Sequence, residues 1–150
     1  MGYVLGKGSL ENLGTVDDRL QRIVQYAITV TKQDFSVICG IRTKEEQRKL
    51  VASGASQTMK SKHLDGLAVD LMAYCSGDRW ELNLYDEIAD AMAEGASFEK
   101  VPLRWGAAWH INDIGGCDLT AEGAMNAYID LRRSQGRRPF IDAPHFELMV

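Results

Sequence analysis

Ser61-Lys62-His63-Leu64-Asp65-Gly66-Leu67-Ala68-Val69-Asp70-Leu71-Met72 passes from a polar approach into an apolar run, and the change falls at Gly66. Residues 66–72 read as a buried strand. Side chains alternate across an extended chain, so Ala68, Asp70 and Met72 share one face while Leu67, Val69 and Leu71 share the other. Asp70 is the anomaly. A carboxylate inside an otherwise apolar strand is costly unless it is paired or coordinates a cation, so the strand needs a partner beside it. His63 is the nearest candidate, and Gly66 lets the chain bend closely between the two.

Working outward, Leu20, Ile23, Val24, Ala27 and Ile28 recur at helical spacing within residues 17–32, with Asp17 and Asp18 at the positive end of the helix dipole. Residues 35–39 are a short β-forming run ended by Gly40. A second helix begins at Thr43, where Glu46 completes a capping box, and Gly54 is placed to end it. Leu82, Tyr85, Ile88, Ala89 and Met92 predict a third helix stopped near Gly95, and residues 120–135 a fourth closed by Gly136. Between them lies an irregular stretch containing Trp105 and Trp109. Pro144 starts a final short strand over residues 145–150. Helices and strands mixed in this order predict one α+β domain over residues 1–150.

The chain has 150 residues, 45% of them hydrophobic, which suits a single core. A net charge of -4 and a pI near 5.4 offer no concentrated positive surface, so nucleic acid is excluded as a partner. Cys39, Cys75 and Cys117 are odd in number and lack a C-x-x-C pair, which predicts small buried hydrophobes rather than disulfides or a thiolate metal site. Residues 1–12 do not form a secretory signal and no stretch is long enough for stable membrane insertion, so a cytoplasmic protein is expected.

A catalytic zinc takes three protein ligands and leaves a fourth position for water. With His63 and Asp70 as two, the third is His110, His145 or a carboxylate. His145 is the best placed, because it opens a strand that can lie beside the strand of Asp70. Asp142, close to it in sequence, can then accept a proton from water and return it to a leaving amine. Glu147 falls on the same strand face as His145 and is suited to orienting it. Arg42 stands at a helix start, where a cation opposes the dipole, which points to a role other than helix stability. Arg132, Arg133, Arg137 and Arg138 form a basic cluster that the fourth helix's dipole explains.

Residues 61–70 fit S-x-H-x-x-G-x-A-x-D, and Asp142-Ala143-Pro144-His145 places an acid shortly before a histidine. Together these resemble the zinc metallopeptidases that include D-alanyl-D-alanine carboxypeptidases and L-alanyl-D-glutamate endopeptidases. Aspartate at 142, Gly40-Ile41-Arg42-Thr43, Gln47 and Trp105-Gly106-Ala107-Ala108-Trp109 are similar to the bacteriophage endolysin branch, although Ala107 and Ala108 depart from its usual Gly and Asp. The resemblance implies a D-Ala-D-Ala peptidase/hedgehog-like fold, a small antiparallel sheet flanked by helices with one catalytic Zn2+ on the sheet. It implies His63, Asp70 and His145 as metal ligands, Asp142 as acid/base, Arg42 as the holder of a substrate carbonyl or carboxylate, and Ser61, Gln47 and Trp105 as substrate-binding residues. The implied activity is hydrolysis of the L-alanyl-D-glutamate bond of peptidoglycan by a monomer with no separate wall-binding domain. Such a protein waits in the host bacterial cytoplasm until a membrane-permeabilising partner releases it. A D-alanyl-D-alanine carboxypeptidase and a non-catalytic zinc-stabilised wall-binding module are the alternatives.

Overall fold

The computed structural model describes residues 2–150. In chain order its elements are α1 (Lys7–Leu13), α2 (Asp18–Val30), β1 (Phe35–Cys39), α3 (Lys44–Ala52), β2 (Ala68–Tyr74), β3 (Asp78–Arg79), α4 (Leu82–Glu99), β4 (Leu103–Trp105), α5 (Ala121–Ser134) and β5 (His145–Leu148). The strands form one antiparallel sheet ordered β1-β2-β5-β4, with β3 paired to the far end of β2. The fold is therefore α+β, with helices around a small antiparallel sheet.

Local chemistry sets the helix starts. Asp17 accepts from the Arg19 amide at α2, Thr43 and Glu46 close their capping box at α3, and Thr120 accepts from the Gly123 amide at α5. Each bond satisfies an amide that the first helical turn leaves unpaired. The sheet then sorts its side chains by face. Val69, Leu71, Leu103, Trp105, Phe146 and Leu148 are fully buried in the apolar core that α2 and α4 complete. Burying each such side chain contributes about 1.5–3 kcal/mol. On the other face stand Asp70, Arg104, His145 and Glu147, and the register sets Asp70 opposite His145 and Glu147 opposite Arg104. A bulge after Val37 brings Cys39 opposite Asp70 on the same side.

Several sequence expectations are corrected. The third helix does not stop at Gly95 but runs to Glu99, and its cap Lys100 adopts φ 59°. Gly95 is there because α2 comes close: a Cβ at that position would lie 2.9 Å from the Ile23 carbonyl oxygen. The irregular stretch contains β4, which at three residues is too short for alternation to reveal. The cysteines are free, with Cys75 exposed and Cys39 and Cys117 partly exposed, so they are not core residues.

Candidate metal centre and active site

His63 is placed by a short 3-10 turn whose cap, Ser61, accepts from the His63 amide at 3.2 Å. That turn ends at Gly66, whose φ of 69° is left-handed and open to glycine at little cost. From there the chain enters β2 and reaches Asp70, while β5 presents His145 directly across from it. Three donor atoms converge: His63 Nε2 lies 3.2 Å from Asp70 Oδ1 and 3.2 Å from His145 Nδ1, and His145 Nδ1 lies 3.5 Å from Asp70 Oδ1.

The other ring nitrogens decide what this triangle can do. His63 Nδ1 donates to the Gly40 carbonyl at 2.8 Å, and His145 Nε2 donates to Glu147 Oε1 at 2.8 Å. In the neutral rings both remaining lone pairs therefore point at the carboxylate and at each other, an arrangement that calls for a cation. Four-coordinate zinc with bonds of about 2.0–2.1 Å has donor–donor edges of about 3.3 Å, and the observed edges of 3.2, 3.2 and 3.5 Å fit that group. Cys39 also stands within ligand reach of His63 and Asp70, but its sulfur lies 3.9 Å from His63 Nδ1, the nitrogen already given to Gly40, and accepts from the Arg42 guanidinium at 3.5 Å, so it stands on the other side of His63 from Nε2.

Without a cation, protons take its place. Burial works against a charged His63, yet the hydrogen bond to Asp70, the contact with Cys39, the charge of Asp70 and the Gly40 carbonyl together outweigh it and push the ring up to about 10. His145 is moved in the same direction, with burial opposed by Asp70 and Glu147. For Asp70, burial is overcome by the two imidazoles, which hold its carboxyl far below the usual range. Asp142 behaves in the opposite way: burial, and then the negative charge of Asp70, push its carboxyl up. Its oxygen lies within 4.8 Å of the donor atoms of Asp70 and His145.

Asp142 is held by its main chain. Its amide donates to the Gly106 carbonyl at 2.7 Å, Trp105 Nε1 donates to Ala143 O at 2.7 Å, and Trp109 Nε1 donates to Phe140 O at 3.0 Å. A Cβ at Gly106 would overlap the Asp142 carbonyl oxygen, so only glycine permits this approach. The structure thus places the two tryptophans differently. Trp105 is fully buried and does not line the cleft, correcting its expected contact with substrate, whereas Trp109 forms cleft wall. Gln47 is corrected likewise. It is fully buried, accepts from Arg42 at 2.7 Å and donates to Ser56 Oγ and Thr58 O, so it braces Arg42 and the following loop.

Arg42 and Ser61 do line the cleft, which has a volume of about 800 Å³ and contains His63, Asp70, Asp142 and His145. Arg42 donates to Asp70 Oδ2 at 3.1 Å, using the carboxylate oxygen that faces away from the triangle. Sequence reasoning missed Arg104. Its guanidinium donates to Glu147 Oε2 at 2.7 Å, sits 5.4 Å from the Trp109 ring centre and so anchors the acid that orients His145. No motif marked it, because its role comes from the pairing of β4 with β5.

Sheet, open cleft and converging donors together define a small α+β protein built around a candidate metal site. The family model described as phage L-alanyl-D-glutamate peptidase matches residues 1–149. An L-alanyl-D-glutamate peptidase of Escherichia phage T5 is 31% identical over 115 residues, 73% of this chain and 84% of that protein. One from Listeria phage A118 is 41% identical over 70 residues, 46% of this chain and 24% of that protein. The crystal structure of Serratia marcescens L-Ala D-Glu endopeptidase ChiX superposes with a TM-score of 0.71 at 30% identity, covering 97% of this chain and 90% of that one. The chain belongs to the phage L-alanyl-D-glutamate peptidase family.

Proposed function

We propose that this chain is a zinc-dependent endolysin that hydrolyses the L-alanyl-D-glutamate amide bond of peptidoglycan stem peptides. The observation that carries the metal assignment is the triangle of His63 Nε2, Asp70 Oδ1 and His145 Nδ1, whose tautomers are fixed from behind by Gly40 and Glu147. Membership of the peptidase family supports the substrate. When bound, zinc supplies Lewis acidity to the scissile carbonyl and to the attacking water. Asp142, whose carboxylate stands within 4.8 Å of the Asp70 and His145 donor atoms, takes the proton of that water and delivers it to the departing amine. Arg42, braced by Gln47, sets a fixed positive charge in the cleft where the carbonyl oxygen becomes negative. Ser61 holds the turn that aims His63.

No helix among the described residues is long and apolar enough to cross a membrane. A monomer acting on the wall through its own cleft, after release by a separate membrane-permeabilising protein, completes the proposal. The deciding experiment digests purified peptidoglycan with zinc-loaded protein and identifies the products by mass spectrometry. New D-glutamyl amino ends are expected. Release of free D-alanine with the L-alanyl bond intact would reassign the activity, and wall binding with no new amino ends would reduce the metal to a structural part.

A further inference from the structure

The cleft holds more positive charge than the reaction above uses, on a chain whose net charge is -4. Arg42, Lys60, Lys62, Arg104 and Arg132 all line it. Three are committed elsewhere. Arg42 binds Asp70 and Gln47, Arg104 binds Glu147, and Lys62 donates to the Leu148 carbonyl. Lys60, in the segment between α3 and β2, and Arg132, on α5, have no carboxylate at ion-pair distance among the described residues.

Arg132 is prepared for a ligand in a way that Lys60 is not. Its Nε and Nη2 both donate to the Arg138 carbonyl, at 3.3 and 3.2 Å, which fixes the plane of the guanidinium and leaves Nη1 unengaged. A pinned planar fork loses little freedom when it binds a carboxylate, whereas an exposed lysine must be ordered first. Tyr128, one helical turn before Arg132 on α5, and Phe140 also line the cleft, and apolar lining strengthens an ion pair formed against it. The helix dipole accounts for cations at the end of α5 but not for one turned into the cleft.

The substrate of the proposed reaction carries the complementary group. A glutamyl residue within a peptide has two carboxyl groups, and only one continues the chain. The other is free and ionised at neutral pH. In a cleft that already contains Asp70, Asp142 and Glu147, that carboxylate needs a dedicated cation. We propose that Arg132 receives this free carboxylate and thereby determines specificity for a glutamyl residue on the amine side of the scissile bond. This rests on the peptidase reading above.

The test uses zinc-loaded protein and two acyl-L-alanyl-D-glutamyl peptides that differ only in whether the free group is a carboxylate or a carboxamide. The wild type should favour the acid in kcat/KM by roughly tenfold or more, mainly through KM, which is the scale of a charge-assisted hydrogen bond. Added salt should shrink the preference. Arg132→Gln should bring the ratio close to one, and Arg132→Lys should retain part of it. Equal cleavage of the two peptides by the wild type overturns the assignment, as does a preference that survives Arg132→Gln or vanishes in Lys60→Gln. If the wild type cleaves neither peptide nor peptidoglycan, the peptidase reading itself fails, an outcome that equal cleavage does not produce.

Discussion

His145 reaches the cleft already oriented, because Glu147 accepts from its outer nitrogen and Arg104 holds Glu147 in turn. For Glu147, burial is outweighed by His145 and Arg104, which keep the carboxyl below its usual value and therefore ionised. Glu147→Gln preserves a hydrogen-bond acceptor but loses the charge, so zinc affinity measured by chelator competition should fall by about 10–100-fold. An unchanged affinity would show that His145 needs no such support. Asp142→Asn should retain zinc while kcat falls by about 10²–10⁴. Titration of the zinc-free protein adds an independent check. Burial and the charge of Asp70 push the Asp142 carboxyl up, so its titration followed by NMR in the zinc-free protein should lie above that of an ordinary aspartate. A titration at the ordinary aspartate value would contradict this placement of Asp142 beside Asp70. His63, Asp70, His145 and Asp142 were all legible as residues, since a charge inside an apolar strand and a histidine beside an acid are local anomalies. Arg104 and Gly106 were not, because each acts through a strand pairing or a close approach that exists only after folding.

Elements carry the site more than its own side chains do. The segment from Trp105 to Trp109 is a template against which residues 140–145 are laid, with Gly106 at the point of closest approach. Gly106→Ala should push the two segments apart, lowering stability by about 1–3 kcal/mol and cutting wall lysis more than that loss of folded protein explains. Calorimetry and turbidity assays on the same preparation separate the two effects. Across the molecule, α4 holds Asp86, whose Oδ1 is buried with no hydrogen-bond partner. Burial, followed by Glu122 of α5 and then Asp90 and Glu87, raises its pKa to about 6. A carboxyl raised in the folded state favours folding below its unfolded value and withdraws that support as pH climbs through about 6. Asp86→Asn should therefore raise the melting temperature by about 2 °C at pH 7.5 and have no effect at pH 4; equal gains at both would contradict this assignment. The long helices and β2 were readable from periodicity and caps. β4 and the true end of α4 were not, the first being too short and the second hidden by a glycine that serves packing rather than termination.

For the molecule as a whole, the centre joins β2 to β5 and the turn before β2, so a bound ion ties together segments that are distant in the chain. Zinc present at a hundredfold over its Kd adds about 2.7 kcal/mol to stability. For a chain of this size, that predicts a rise of about 5–10 °C in melting temperature, lost on chelation. Acid should release the ion, because His63 and His145 must shed their protons to bind it. A melting temperature indifferent to chelator would argue against the triangle as a metal site. One further consequence follows from how position 142 is secured. The backbone carbonyls on either side of Asp142 are gripped by indole nitrogens, and its amide by a glycine carbonyl, so nothing in that grip depends on which side chain the position carries. The acid is a detachable tool on a fixed handle, and a lineage can lengthen, shorten or blunt it without rebuilding the machine that holds it.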